Sequence, residues 1–526
     1  MKKNIITLLI SIFFLVPIFA QYSYMPGDIE VEMLLESYSN VGRVFPGSSY
    51  PLSKKDLYLY ALEIGAEDVL DIIDYSPNSI VIEENIEIIY EQYFRTKEAW
   101  SDFSRLYLKQ PDLLNLTLNA QEDDLGGVYI QFGIKKEYDI NNLYTANNFF
   151  SSESGNPVMI ENWFIREGYF YYMFDSLDFV FGRNRVHYGA ADFSTLYPSK
   201  DIPFIDALSY KFNLGNLQMQ SYIATLENRE ADVDVDMNEA VGETEIEDVA
   251  EFGINTIFAT MHRFEYSWNK VRVSIGSQSF FARSENGFQL GDFFPVFSWH
   301  NTEVGGHNMS LIADISIAPY PGVEVYLMGG YDDINASELF GVNDSELPTV
   351  PAWVAGVDYY PSFTNLLQKI SLEAGETHYL WGNFHLVSED DYIDGNAFAR
   401  AIYRFKTDSG YTAIPMTSPY GPGASWYKVN INGGDFFGIT PEFDFLYLTQ
   451  IEGVDLFSTE HENADEEMES RHKIRTFNTN ITLSYKFLNW NTVYTTIGYF
   501  NQDNVNWMEF TFGGSIKFSN SNKVPK

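Results

Sequence analysis

The chain has 526 residues, no cysteine, 73 acidic against 33 basic side chains, and a net charge of −40. The missing thiols exclude a disulfide framework, a cysteine nucleophile and a thiolate metal site. The acidic excess makes nucleic acid an unfit partner, because phosphate binding depends on Lys and Arg.

Residues 1–20 read as a secretory signal peptide. Lys2 and Lys3 open it, Ile5 to Phe19 is apolar apart from Thr7, Ser11 and Pro17, and Ala20 places a small residue before Gln21. About 15 apolar residues fall short of the roughly 20 that a spanning helix needs. No long apolar run follows, so the mature chain is either soluble or enters a membrane as strands.

Residues 21–111 carry helical spacing. Ser53 and Asp56 form a helix-start pair after Pro51, and Leu57, Tyr60, Ala61 and Ile64 recur at intervals of three and four. Ser76, Pro77 and Asn78 mark a break. A second helix is expected beyond it, with Ile86, Ile89, Tyr90, Tyr93, Lys97 and Trp100 along one side, before Pro111.

From 112 to 518 the period changes to two. Val128, Ile130, Phe132 and Ile134 alternate with polar neighbours, as do Leu208, Tyr210, Phe212 and Leu214. Met309 to Ile317, Ala397 to Lys406 and Thr476 to Phe487 alternate likewise. Short turns at 213–216, 268–270, 319–322 and 488–491 contrast with long acidic loops at 227–251, 332–348 and 452–470. Short turns at one end and long loops at the other are the pattern of outer-membrane barrels. Strands of about 10 residues give roughly 16 to 18 of them. The 17% aromatic content suits strands and interfacial girdles. The fold class is therefore an all-β transmembrane protein, a large antiparallel outer-membrane barrel behind a small α-helical region. The helical region is expected in the periplasm or as a plug.

Thr511, Gly513, Ile516 and Phe518 resemble the assembly signal on the last strand of bacterial outer-membrane proteins. The resemblance implies the barrel-assembly machinery as a partner during biogenesis. Outer-membrane lipids are the other expected partner. Residues 519–526 are expected as a short tail.

The segment Leu177 to Pro198 contains Gly182-Arg183, four residues, then Tyr188-Gly189-Ala190. It resembles the capsule-assembly family Wzi, which carries Gly-Arg, four residues, then Trp-Gly-Pro. Residues 41–64, and Asp314 followed by Gly330-Tyr331-Asp332-Asp333, also look like stretches of that family. The resemblance implies an 18-stranded barrel, a lumen blocked by helices and inward loops, and a non-enzymatic, lectin-like role in holding surface polysaccharide. A porin for small solutes is the alternative, and an outer-membrane enzyme a third reading.

The candidate ligand-binding residues are Arg183, Arg185 and Tyr188, with Arg400, Arg404 and Lys406 on a predicted wet strand face. Guanidinium forks suit acidic sugars. The plainer reading is that these cations neutralise lumen carboxylates. Arg183 and Arg185 continue the lipid-facing parity of Leu177, Phe179 and Phe181, so the strand is expected to end or bulge before them. Trp299, Trp353, Trp381 and Trp426 are sugar-stacking candidates whose plainer reading is the interfacial girdle. Asp232, Asp234, Asp236, Asn238 and Glu243 stand at calcium-loop positions 1, 3, 5, 7 and 12. Met237 replaces the required Gly, so a solvated acidic loop is expected. No His pair, nucleophile elbow, phosphate loop or dinucleotide fingerprint points to a metal centre, cofactor or enzyme.

Overall fold

The computed structural model describes residues 24–525 except 27, 74, 76–78, 98–110, 123–124, 136–144, 150–164, 175, 192, 199, 230–254, 284–289, 294–306, 333–348, 363–365, 384–400, 408–409, 455, 457–467, 469 and 488–490. The signal peptide and the calcium-spaced acids lie outside the described residues.

Three helices open the described chain: α1 (Ile29–Asn40), α2 (Lys54–Ile64) and α3 (Glu67–Ile72). The expected start of α2 is a reciprocal capping box. The Ser53 hydroxyl accepts the Asp56 N–H at 2.9 Å, and the Asp56 carboxylate accepts the Ser53 N–H at 3.3 Å. Gly65 ends the helix at φ 69°, in the left-handed region where a missing Cβ removes the steric penalty. Val31, Leu34, Tyr38, Phe45, Leu57 and Val69 form a small core of their own.

The second expected helix is a strand. Ser79–Arg95 is β1, and it belongs to the barrel. Ile86, Ile88, Tyr90 and Phe94 all face outward and are exposed, while Glu83, Asn85, Glu87 and Glu91 alternate on the inner side. β-branched Ile at 80, 82, 86, 88 and 89 favours a pleated chain. The spacing of Ile86, Ile89 and Tyr93 fits a helix only when the intervening residues are left out.

Seventeen further strands complete the wall. They are β2 (Leu114–Glu122), β3 (Gly126–Ile134), β4 (Ile165–Met173), β5 (Leu177–Asn184), β6 (Ile205–Leu214) and β7 (Leu217–Arg229). Next come β8 (Asn255–Trp268), β9 (Val271–Arg283), β10 (His307–Tyr320), β11 (Val323–Tyr331), β12 (Pro351–Tyr359) and β13 (Leu367–Thr377). The last five are β14 (Ala424–Gly433), β15 (Ile439–Ile451), β16 (Lys473–Phe487), β17 (Asn491–Gln502) and β18 (Val505–Pro525). Each pairs antiparallel with its neighbours in sequence, and β1 closes on β18. A three-residue segment, Thr145–Asn147, adds to the upper end of β1. Closure removes every long edge and satisfies the strand backbone, as the bilayer interior demands.

The closing seam corrects the expected tail. Ser79 to Asn85 pair with Pro525 to Ser519, so the chain beyond Phe518 continues β18. Of the expected strand Ala397–Lys406, residues 397–400 lie outside the described residues and the remainder is no wall strand. Ile402–Thr407 pairs only with Gly410–Pro415, a hairpin within the long β13–β14 connection.

Both barrel termini and the short turns at 215–216, 269–270 and 321–322 share one end, the periplasmic end of an outer-membrane barrel. The helices close against it. Ser39 O accepts the N–H of Gly322 in the β10–β11 turn at 2.7 Å, and Val44 donates to Asn269 O in the β8–β9 turn at 2.9 Å.

Candidate functional site

The interior divides into a filled arc and a solvated one. On the filled arc, residues 44–50 rise from the helices into the lumen. Arg272 on β9 donates to Phe45 O. Ser49 and Tyr50 then pair with Tyr188 and His187, in a connection that enters the lumen from the opposite end. That β5–β6 connection is fixed to the wall by Gln278, which donates to Leu196 O at 2.9 Å, and by Tyr197, which donates to Ile312 O at 3.1 Å.

Arg263 on β8 is fully buried and holds this assembly together. Its guanidinium reaches Glu265 at 2.7 Å and Asp314 at 3.0 Å, and donates to Gln220, Ser48 and Ser274. A cation deprived of water is tolerable only with such complete pairing. Ser48 also donates to Glu265, so the rising segment completes the cluster.

A second anchor is Glu373 on β13. It accepts from Ser194 of the β5–β6 connection, from Tyr326 at 3.0 Å and from Trp426 Nε1 at 3.3 Å. The β13–β14 connection joins the same packing. Trp381 donates to Thr417 at 3.2 Å, Ser418 donates to Thr195 O, and Gly382 donates to Asp332 at 2.8 Å. Trp381 and Trp426 are therefore lumen core, whereas Trp353 is exposed on the outer wall. Trp299 lies outside the described residues.

The other arc, centred on β16 to β18, keeps the middle of its inner face in contact with solvent, while its flanks carry buried inward residues, Leu448 on β15 and Val81, Glu91 and Arg95 on β1. Asn478, Asn480, Thr482 and Ser484 on β16, Thr496 on β17, and Thr511 and Ser515 on β18 are half-buried. Charges along this arc have partners: Lys428 with Asp444 at 3.6 Å, Arg95 with Glu509 at 3.0 Å, and Lys54 of α2 with Glu83 at 3.3 Å.

The structure separates the residues singled out in the sequence. β5 keeps its pairing register through Arg183, with Gly182 just before it at φ 131°, and Arg183 stays on the outer face near the rim and forks onto Asp206 at 2.8 and 2.9 Å. Of the expected end or bulge before the two arginines, the strand ends only before Arg185 and keeps its register past Arg183, whose charge is matched by its cross-strand neighbour Asp206. Arg185, beyond the strand, turns inward to Glu167 at 2.8 Å. Tyr188 is buried and stacks on Tyr222 at 5.9 Å. Arg404 falls in the short hairpin, and Arg400 lies outside the described residues. Thr511 and Gly513 face the lumen, while Ile516 and Phe518 are exposed on the outer wall. The signal that could have found Arg263 is its parity: Arg263 and Glu265 alternate with outward Phe264 and Tyr266.

One outer-wall patch departs from the apolar pattern. Tyr210, Ser221, His262 and Ser277 form a cross-strand row over β6 to β9. Ser221 and His262 Nδ1 lie 2.9 Å apart. The turn Leu290–Phe293 covers the row, and its Phe293 carbonyl accepts the Tyr210 hydroxyl at 2.6 Å. Polar outward groups are tolerated here because chain, not lipid, lies over them.

No protein-family model matches the sequence, and no curated protein matches it. Solved structures match the fold. One is Wzi, an outer-membrane protein involved in group 1 capsule assembly in Escherichia coli and described as a carbohydrate-binding β-barrel. It has a TM-score of 0.51 at 11% identity, covering 96% of this chain and 100% of its own. OprD of Pseudomonas aeruginosa gives 0.42 at 9% identity, covering 85% and 95%. OccAB4 of Acinetobacter baumannii gives 0.40 at 8%, covering 85% and 100%. At such identities the likeness is one of fold. A closed wall of eighteen strands with an apolar outer face, a helical cap and a lumen entered from both ends make this chain, in fold, a divergent Wzi-like barrel of the outer membrane.

Proposed function

We propose that the chain binds surface polysaccharide and holds it at the outer membrane, without catalysing a reaction. The observation that carries this reading is the filled arc. A free-diffusion pore gains nothing from a buried Arg263–Glu265–Asp314 cluster that ties the helical segment into the lumen. A surface-anchoring protein needs a rigid, sealed scaffold. The carbohydrate-binding description of Wzi supports the reading by analogy of fold. In a deletion strain, polysaccharide is expected to shift from cells to medium, and restoring the gene should return it. Unchanged partition would overturn the anchoring role.

Passage of small solutes is the second reading, favoured by the solvated arc alone. Single-channel recording separates the two. The anchoring reading expects a silent barrel in planar bilayers, and steady wide-pore openings would replace it with the porin reading.

A further inference from the structure

The solvated arc has a chemical character that the rim arginines lack. Asn478, Asn480, Thr482, Thr496 and Thr511 share the inner face of three adjacent strands. Thr482 and Thr496 already touch through their hydroxyls at 2.8 Å. Every member offers hydrogen-bond acceptors and donors, and none carries charge. Among the residues whose side chains are described, the lumen cations on these strands, Lys486 and Lys517, stand toward the short-turn end, with Lys517 opposite Glu87, and Arg95 on the adjacent β1 is committed to Glu509 at 3.0 Å. Arg183 and Arg185, the forks expected for acidic sugars, are committed to Asp206 and Glu167.

We propose that this amide-and-hydroxyl patch is where the chain holds polysaccharide, and that it takes uncharged, hydroxyl-bearing stretches of the polymer. The inference rests on the anchoring function proposed above. An uncharged sugar segment exchanges its water hydrogen bonds for equivalent ones on the patch. A uronate or phosphate segment would lose hydration there without gaining a cation.

The absence of cysteine makes the test clean. In the full chain, Thr496→Cys introduces a single thiol on the patch, and Ala224→Cys a single thiol on the filled arc. An uncharged thiol reagent is applied with cell-surface polysaccharide of the producing bacterium, split by anion exchange into unretained and retained pools. The unretained pool should slow modification of T496C at least tenfold. The retained pool should change it less than twofold, and A224C should stay unmodified throughout. Equal protection by both pools, protection by the retained pool alone, or no protection would overturn the proposal. Thr511→Cys repeats the measurement if T496C fails to fold. If deletion of the gene sheds polysaccharide while T496C and T511C stay unprotected, the anchoring function stands and the patch is wrong. If neither effect is seen, both fall.

Discussion

Strands β8 and β16 look alike from outside and opposite from within. Each alternates, and each shows aromatic or aliphatic side chains to lipid: Phe264, Tyr266 and Trp268 on one, Phe477, Ile481 and Tyr485 on the other. Inside, β8 carries Met261, Arg263 and Glu265, all sealed from solvent, whereas β16 carries Asn478, Asn480 and Thr482, all wetted. The difference teaches where a barrel can bury charge. A guanidinium goes dry only where the inserted chain brings partners to it, as Ser48 does. Where no chain is inserted, uncharged polar groups suffice, because water satisfies them.

The largest expected effect breaks the filled arc. Arg263→Ala leaves Glu265 and Asp314 buried without their cation, a loss of about 3–5 kcal/mol. Chemical unfolding of the purified barrel should show it, and A224C should become reactive in that background as the packing loosens. Replacing all three charged residues with apolar ones of similar volume should recover much of the loss, since such swaps of buried ion groups are often close to neutral. A triple variant as unstable as R263A would mean that the cluster contributes through specific geometry and not through cancelled charge.

A smaller effect tests how the helices dock. Burial works against the charged form of Asp56, but Lys211 at 2.6 Å and the hydrogen bonds with Ser53 outweigh it and hold the carboxyl below its ordinary value of 3.8. A depressed folded-state pKa gives stabilisation that is complete above the ordinary aspartate range, about pH 4, and is lost as pH falls through the folded value. Asp28 runs the other way. Burial raises its pKa despite the Met25 N–H and nearby Arg185, so acidification relieves a penalty there. Asp56→Asn should cost about 1–2 kcal/mol near neutral pH, reduced from a full buried-pair loss because Lys211 keeps Asp178 at 3.4 Å. The same variant should flatten the fall in stability below about pH 4. An unchanged acid limb would show that the helices are held by their apolar core alone.

These two sites also mark what the sequence can and cannot disclose. The capping box at Ser53 and Asp56, the wall strands around Leu208–Leu214 and Thr476–Phe487, and the short turn at Gly215–Asn216 follow from local pattern, because capping, pleat and turn chemistry act over a few residues. β1 shows a helical period in the sequence because acids set between its isoleucines let a subset, Ile86, Ile89 and Tyr93, mimic a helix face. The anchors escaped altogether. Arg263 meets Ser48 across 215 positions, and Ser194 meets Glu373 across 179, so no local period announces either. The candidate arginines were legible as charges but not as pairs, since Asp206 becomes the partner of Arg183 only through strand register.

The outer rim gives a smaller test still. Arg183→Ala removes a solvent-exposed pair that also lies over Phe204 at 4.0 Å. Exposed pairs are worth about 0–1 kcal/mol, and unfolding should register no more than that. Polysaccharide retention should be unaffected, because Arg183 faces outward. Reduced retention at unchanged stability would return the rim arginines to the binding site.

The smallest change sharpens the original contrast. Asn480→Ala removes an amide from a wetted face, and water takes its place, so stability should move by no more than about 0.5 kcal/mol. Arg263 stands at the same kind of position, an inward residue in mid-strand, and its truncation should cost several times as much. The two inner faces then differ by what lies against them and not by strand propensity or outward packing. A loss at Asn480 comparable with that at Arg263 would mean that the solvated arc is also packed, by chain that reaches it from the long loops. Measuring both variants in one unfolding series, with T496C reactivity beside them, decides whether this barrel has one filled arc or two.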